Sequence, residues 1–167
     1  MLRRRVLLAS LAAPLVTGAC GFKLREAPNF AFNSIFVRIP ESQPLGTELR
    51  RNLAASGKLQ VITDAARLDQ ADVVLEPTVN QREKTVVGLT SSGQVREFQL
   101  RLRFRFRLRT PQGKELIPEV EILQQRDISF NESAVLAKEF EEQLLYRNMR
   151  SDIVQQIMRR LAALQSL

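Results

Sequence analysis

Phe98-Gln99-Leu100-Arg101-Leu102-Arg103-Phe104-Arg105-Phe106-Arg107-Leu108-Arg109 is a run in which every even position is apolar and every odd one polar, with arginine in all odd places but the first. Side chains on a β-strand point alternately to opposite faces, so this pattern reads as a half-buried strand with its apolar row in the core and its arginine row outside. At ~3.4 Å per residue the run extends about 40 Å, which is long for a strand. It needs partners of comparable length, and its neighbours supply them. Downstream, Thr110-Pro111-Gln112-Gly113 has Pro and Gly where a tight turn wants them, and Glu115 to Phe130 returns as a further strand. Upstream, Asp72 to Val87 alternates imperfectly around Val73, Leu75, Val79 and Val86. Pro77 inside that stretch calls for an edge position or a bulge. The segment Gly88-Leu89-Thr90-Ser91-Ser92-Gly93 reads as a flexible loop joining the two strands.

Farther out, Ser34 to Ile39 is a short apolar strand closed by Pro40, and Pro44 suits the first turn of a helix. Leu45, Leu49 and Leu53 lie four apart on one face of that helix, Gly57 is placed to end it, and a short strand follows at Lys58 to Ile62. The last element predicted is a helix from about Val135 to Leu164, about 45 Å long at 1.5 Å per residue. Leu145, Met149, Ile153, Ile157 and Leu161 recur every fourth residue in it, preceded by a second series of Leu136, Phe140 and Leu144. The order of elements predicts an α+β fold: a mixed, mostly antiparallel sheet of four to five strands with two helices packed on one face, a two-layer sandwich. A doubly wound parallel sheet is excluded because no helices separate the three long strands.

The chain starts Met1-Leu2-Arg3-Arg4-Arg5, continues with an apolar run from Val6 to Val16, and then reads Thr17-Gly18-Ala19-Cys20. That is the layout of a signal peptide over residues 1–19. Its apolar run is too short to remain as a membrane span, which takes about 20 residues. Cys20, the only cysteine, follows the small pair Gly18-Ala19 where a bacterial lipobox places the lipid-bearing first residue of the mature protein. The alternative is an ordinary secreted protein with Cys20 a free thiol. Residues 20–167 then form a single domain, large enough to fold unaided. Removing three arginines leaves 22 Lys and Arg against 18 acids, about +4 instead of +7. With no histidine, and with Cys20 consumed by lipid, zinc sites, Ser-His triads and Cys-His dyads are all unavailable. No cofactor or metal is expected, and the chain does not read as an enzyme.

Several segments together resemble the lipopolysaccharide-assembly lipoprotein LptE family, the small partner of the outer-membrane barrel LptD. These are Cys20-Gly21-Phe22-Lys23-Leu24-Arg25, Ser92-Gly93-Gln94-Val95-Arg96-Glu97-Phe98-Gln99, Val135-Leu136-Ala137-Lys138, Met149-Arg150-Ser151-Asp152 and Gln156-Ile157-Met158-Arg159-Arg160-Leu161. The resemblance implies a small sheet with two helices, seated in the lumen of LptD as a plug. It implies a role in folding that barrel and in delivering lipopolysaccharide to the outer leaflet. The expected location is the outer membrane, lipid-anchored, on the periplasmic side and in the barrel lumen; Gly21 in place of Asp after the cysteine is similar to the release signal of this lipoprotein class. The resemblance also implies that Lys138, which ends the Leu-Ala-Lys stretch, contacts the glycolipid. The family's other basic contact falls where this chain has Ser91-Ser92, leaving Arg96 or Lys84 as stand-ins.

Arg101, Arg103, Arg105, Arg107 and Arg109 stand about 7 Å apart on one side of their strand and could give forked hydrogen bonds to phosphates of a polyanion such as lipopolysaccharide. The alternative is structural: the row forms an outer sheet face, blocks edge pairing and cross-pairs with acids such as Glu119 and Glu121. Interleaved Phe and Arg also suggest nucleic acid, but the two rows point to opposite faces and the Phe row is needed for the core, so no nucleic-acid partner is expected. A periplasm-facing lipoprotein serving another envelope partner is the competing function. Enzymatic action on envelope polymers lacks a local carboxylate or Ser-Lys motif.

Overall fold

The computed structural model describes residues 28–57 and 59–167; the signal peptide expected over residues 1–19 and Cys20 lie outside them. Five strands form one sheet: β1 (Ser34–Val37), β2 (Gln60–Ile62), β3 (Val73–Leu89), β4 (Val95–Arg109) and β5 (Glu115–Ser129), in the order β2-β1-β3-β4-β5. The short strand β1 runs parallel to both β2 and β3, and the three long strands pair antiparallel. A parallel pair needs a crossover, and α1 (Pro44–Ala54) supplies it between β1 and β2. Helix α2 (Val135–Ala162) follows β5 and, at 28 residues, measures about 42 Å. The predicted α+β sandwich is the observed fold.

The alternation of β4 decides where the core lies. Leu100, Leu102, Phe104, Phe106 and Leu108 are all buried, and they pack against Leu45, Leu49 and Leu53 of α1 and Met149, Ile153, Ile157 and Leu161 of α2. Both helices therefore sit on one face. Pro44 opens α1, and Gly57, at φ 80°, follows its last turn. Gly46 lies under Ile39: a Cβ there would come within 2.7 Å of Ile39 Cγ2, so the close approach of α1 to the end of β1 requires a residue without one.

Four features depart from the sequence reading or sharpen it. Residues 88–93 are not all loop, because β3 runs through Gly88 and Leu89 and the turn is Thr90–Gly93. That turn repeats at Thr110–Gly113. In both, the glycine lies at positive φ (83° and 99°) and the threonine hydroxyl accepts from the amide four residues on. A 3-10 helix at Ala65–Gln70, capped by Asp64, carries the chain from β2 to β3. Its Leu68 closes a second, small core with Phe36, Ile62, Ala71 and Val74 on the face opposite α1 and α2.

The third concerns Pro77. Both expectations for it are met, since β1 pairs only as far as Leu75 and the β3–β4 register slips between Pro77 and Val79. Pro lacks the N–H a central strand would use, and here no neighbour asks for it. The slip also reverses parity. Before it Glu76 faces outward opposite Arg107; after it Gln81 and Glu83 stand opposite Arg103 and Arg101, so Asn80, Arg82 and Lys84 turn to the helix side. Fourth, Leu136, Phe140 and Leu144 are exposed (72, 73 and 44 %) and not part of the core. Each residue advances a helix by about 100°, so this stripe points 100° or more away from the seam set by Leu145 and Met149.

Candidate functional site

The arginine row lies on the outer face of the sheet, and that face supplies its own acids. Glu76, 5 % exposed, takes Arg38 at 2.9 Å, Arg107 at 2.8 Å and Arg109 at 2.6 Å. The hydrogen bond from Arg109 is the main reason its carboxyl is held at about 2; burial opposes that and Arg107 reinforces it. Arg105 bonds Glu121 at 2.6 Å and lies 3.9 Å from Glu119, the cross-strand partners expected of a structural row. The Glu121 hydrogen bond raises the Arg105 pKa. Arg103 stands 4.0 Å from Glu83, and Arg101 donates to Gln99 at 2.8 Å. Four of the five arginines thus have a carboxylate on the sheet itself.

Lys138 is elsewhere, on the first turns of α2 beside the far end of the β4–β5 hairpin. Its ammonium bonds Ser129 Oγ at 3.0 Å and Glu141 at 2.9 Å. It borders a cleft of about 250 Å³ walled by Phe98, Ile128, Phe130 and Val135, with Lys84 on the opposite rim. Phe98 and Phe130 meet edge to face at 5.4 Å, and Lys84 Nζ lies 4.3 Å over the Phe98 ring while pairing with Glu142 at 2.6 Å. Of the two stand-ins for the missing loop cation, Lys84 reaches this cleft. Arg96 is exposed on β4 and is not among the residues lining it.

The cleft joins hydrocarbon walls to two ammonium groups, and Glu139 and Glu142 line it as well, so an anionic amphiphile entering it has to take the place of carboxylates. Both ion pairs at its rim are solvent-accessible, and such pairs contribute roughly 0–1 kcal/mol, so a phosphate can replace either carboxylate at small cost. Among the described residues no cluster of three metal-ligating side chains occurs, and no helix is long and apolar enough to cross a membrane.

The family model described as LptE, lipopolysaccharide-assembly, matches residues 32–161, spanning every strand and both helices. The chain belongs to the LptE family. An LPS-assembly lipoprotein LptE of Pectobacterium atrosepticum is 26 % identical over 89 % of this chain and 80 % of its own length. One of Yersinia enterocolitica is 29 % identical over 96 % and 77 %. Among solved structures, an uncharacterized lipoprotein B of Nitrosomonas europaea is 32 % identical, with a TM-score of 0.72 over 86 % of this chain and 91 % of that one. A rare lipoprotein B of Shewanella oneidensis, 23 % identical with a TM-score of 0.64 over 78 % of this chain and 95 % of that one, shares the fold.

Sequence reasoning named Lys138 and Lys84 but not the outward-facing Glu76 as the hub of the arginine row, nor Arg82 as a helix-side cation. The available signal was Pro77. A bulge there exchanges the two faces of the rest of β3, and counting forward from it places Arg82 and Lys84 toward α2.

Proposed function

We propose that this LptE-family chain works in lipopolysaccharide assembly as an outer-membrane lipoprotein. In this reading it is exported, cut before Cys20 and anchored by acyl chains on that residue, because one chain alone holds a protein only marginally and two or three hold it firmly. It seats in the lumen of an LptD-type barrel, supports folding of that barrel, and contacts lipopolysaccharide on its way to the outer leaflet. Its part is binding and scaffolding, without catalysis.

The observation that carries the reading is the cleft between β4, β5 and the start of α2. Phe98, Ile128, Phe130 and Val135 offer a dry wall, and Lys84 and Lys138 offer charge at its edge. Lipopolysaccharide is both fatty and anionic, and a site with only one of these characters would not select it. The arginine row has the charge without the wall, and four of its five guanidinium groups meet Glu76, Glu83, Glu119 or Glu121. We assign that row to cross-strand ion pairing on the outer face of the long sheet, with Arg96 as an auxiliary contact near the hairpin end.

The test is recovery of the tagged, full-length protein from native envelopes. The reading expects a large barrel and lipopolysaccharide to co-purify, a diacylglyceryl group on Cys20 by mass spectrometry, and lipopolysaccharide stranded in the periplasm on depletion. Depletion that leaves barrel folding and lipopolysaccharide export unchanged refutes it and leaves the alternative of a periplasm-facing module for another partner.

A further inference from the structure

The apolar stripe on α2 ends in a group of cations that the cleft at Lys138 does not include. Leu136, Phe140 and Leu144 lie at four-residue spacing, and Arg147 and Arg150 continue the same side of the helix. From Leu136 to Arg147 the stripe is about 16 Å long. A groove of about 530 Å³ is lined by Arg82, Phe140, Gln143, Leu144, Arg147 and Arg150. A second hollow of about 390 Å³ beside the start of α1 shares Arg82 and Arg150 with it, so the two adjoin.

The charge state of these arginines sets them apart from the outer face. Arg150 is fixed by Glu48 at 2.9 Å, whose other oxygen accepts from Ser151. Arg82 meets no carboxylate among the described residues. Its guanidinium lies 4.8 Å over the Tyr146 ring, which is itself pinned by a hydrogen bond from Tyr146 Oη to the Glu83 carbonyl at 2.8 Å. Arg147 is exposed on α2 and makes no ion pair with a described residue. Two arginines without carboxylate partners among the described residues, one of them over a tyrosine ring, thus face a groove whose other end is exposed hydrocarbon. The parity reversal at Pro77 puts Arg82 there; without the slip it would stand on the outer face with the arginine row.

We propose that this groove is a second lipopolysaccharide subsite, in which Arg82 and Arg147 take a phosphate and Leu144, Phe140 and Leu136 receive an acyl chain. The proposal deepens the function given above and rests on it. Charge complementarity selects the occupant: guanidinium groups recognise phosphate through forked hydrogen bonds, and the apolar stripe leads directly away from them. Arg82 and Lys84 are successive helix-side residues of β3, about 7 Å apart, so this subsite adjoins the Lys138 cleft and one glycolipid can engage both.

The test measures binding of purified lipopolysaccharide to the full mature protein at about 0.15 M salt, with melting curves for every variant. Arg82→Gln with Arg147→Gln is expected to weaken binding about tenfold or more and to flatten its salt dependence. Leu136→Ser with Phe140→Ser is expected to weaken binding as well, without lowering the melting temperature, because both side chains are exposed. Inorganic phosphate at millimolar concentration is expected not to displace the glycolipid. Full displacement by phosphate would overturn the acyl half of the site. If both double variants bind normally while Lys138→Ala does not, the second subsite is wrong and the function stands. If all three bind normally, the second subsite and the Lys138 cleft are both wrong as contact sites. Normal glycolipid binding together with lost co-purification of the barrel would mark the stripe as a protein interface and refute the subsite.

Discussion

Replacing Glu76 by Gln keeps the shape of the side chain and removes the charge on which three arginines converge. The ionised carboxylate is favoured in the folded chain by its fall from 4.5 to about 2. At 1.36 kcal/mol per pH unit that corresponds to about 3 kcal/mol. Arg38 and Arg107 are half exposed (55 and 50 %) and regain water when the acid is lost, whereas Arg109, at 18 %, is left poorly solvated. The expected cost is therefore roughly 2–3 kcal/mol, or about 5–10 °C in melting temperature for a domain of this size. The effect has a direction in pH. A carboxylate whose pKa is depressed by folding contributes fully above its unfolded value near 4.5, and the contribution disappears as pH falls toward 2. Urea unfolding followed by circular dichroism should then show a wild-type advantage that is largest above pH 5 and shrinks steadily to pH 2, at an unchanged urea slope. An advantage below about 0.5 kcal/mol at neutral pH, or one equally large at pH 2.5 and pH 7, would refute the assignment of Glu76 as the hub of the arginine face.

Other perturbations separate core, contact and surface. Phe104→Ala empties the centre of the helix-covered face and should cost about 3–5 kcal/mol in the same assay. Gly46→Ala pushes a methyl group onto Ile39 and should cost about 1–3 kcal/mol, with the helix content by circular dichroism retained. Arg101→Ala and Arg105→Ala, taken from a row assigned to the outer face of the sheet, should leave lipopolysaccharide affinity within about twofold of wild type by equilibrium titration. A tenfold loss in either would return the row to the binding surface.

The long strands were legible because β4 alternates without interruption, and a strand of that length dictates the length of whatever covers it. The turn after β4 was legible from Pro111 and Gly113, whereas residues 88–93 read as a longer flexible loop than the Thr90–Gly93 turn that is present. Glu119 and Glu121 could be named as partners of the row because a β5 returning from the Pro-Gly turn must lie beside β4. Glu76 could not, because its pairing with Arg107 and Arg109 depends on a register that slips at the very next residues. The same slip hid Arg82, whose side is reversed by one unpaired position. In α2 both apolar series were visible, but each satisfies helical spacing alone. Only the rotation between them, seen once Met149 and Ile153 are fixed in the core, shows that Leu136, Phe140 and Leu144 face away. The 3-10 helix after Asp64 left a cap signal and no periodicity long enough to read.

The central claim is that a fatty anion binds where Lys138 and Lys84 flank the Phe98–Phe130 wall. Titration of lipopolysaccharide into the mature wild-type protein and Lys138→Ala, at equal folded fraction and in low and high salt, tests it most directly. Loss of one charge-assisted contact of about 1.5–3 kcal/mol predicts affinity at least tenfold weaker and less sensitive to salt. An identical titration curve for the two proteins would contradict it.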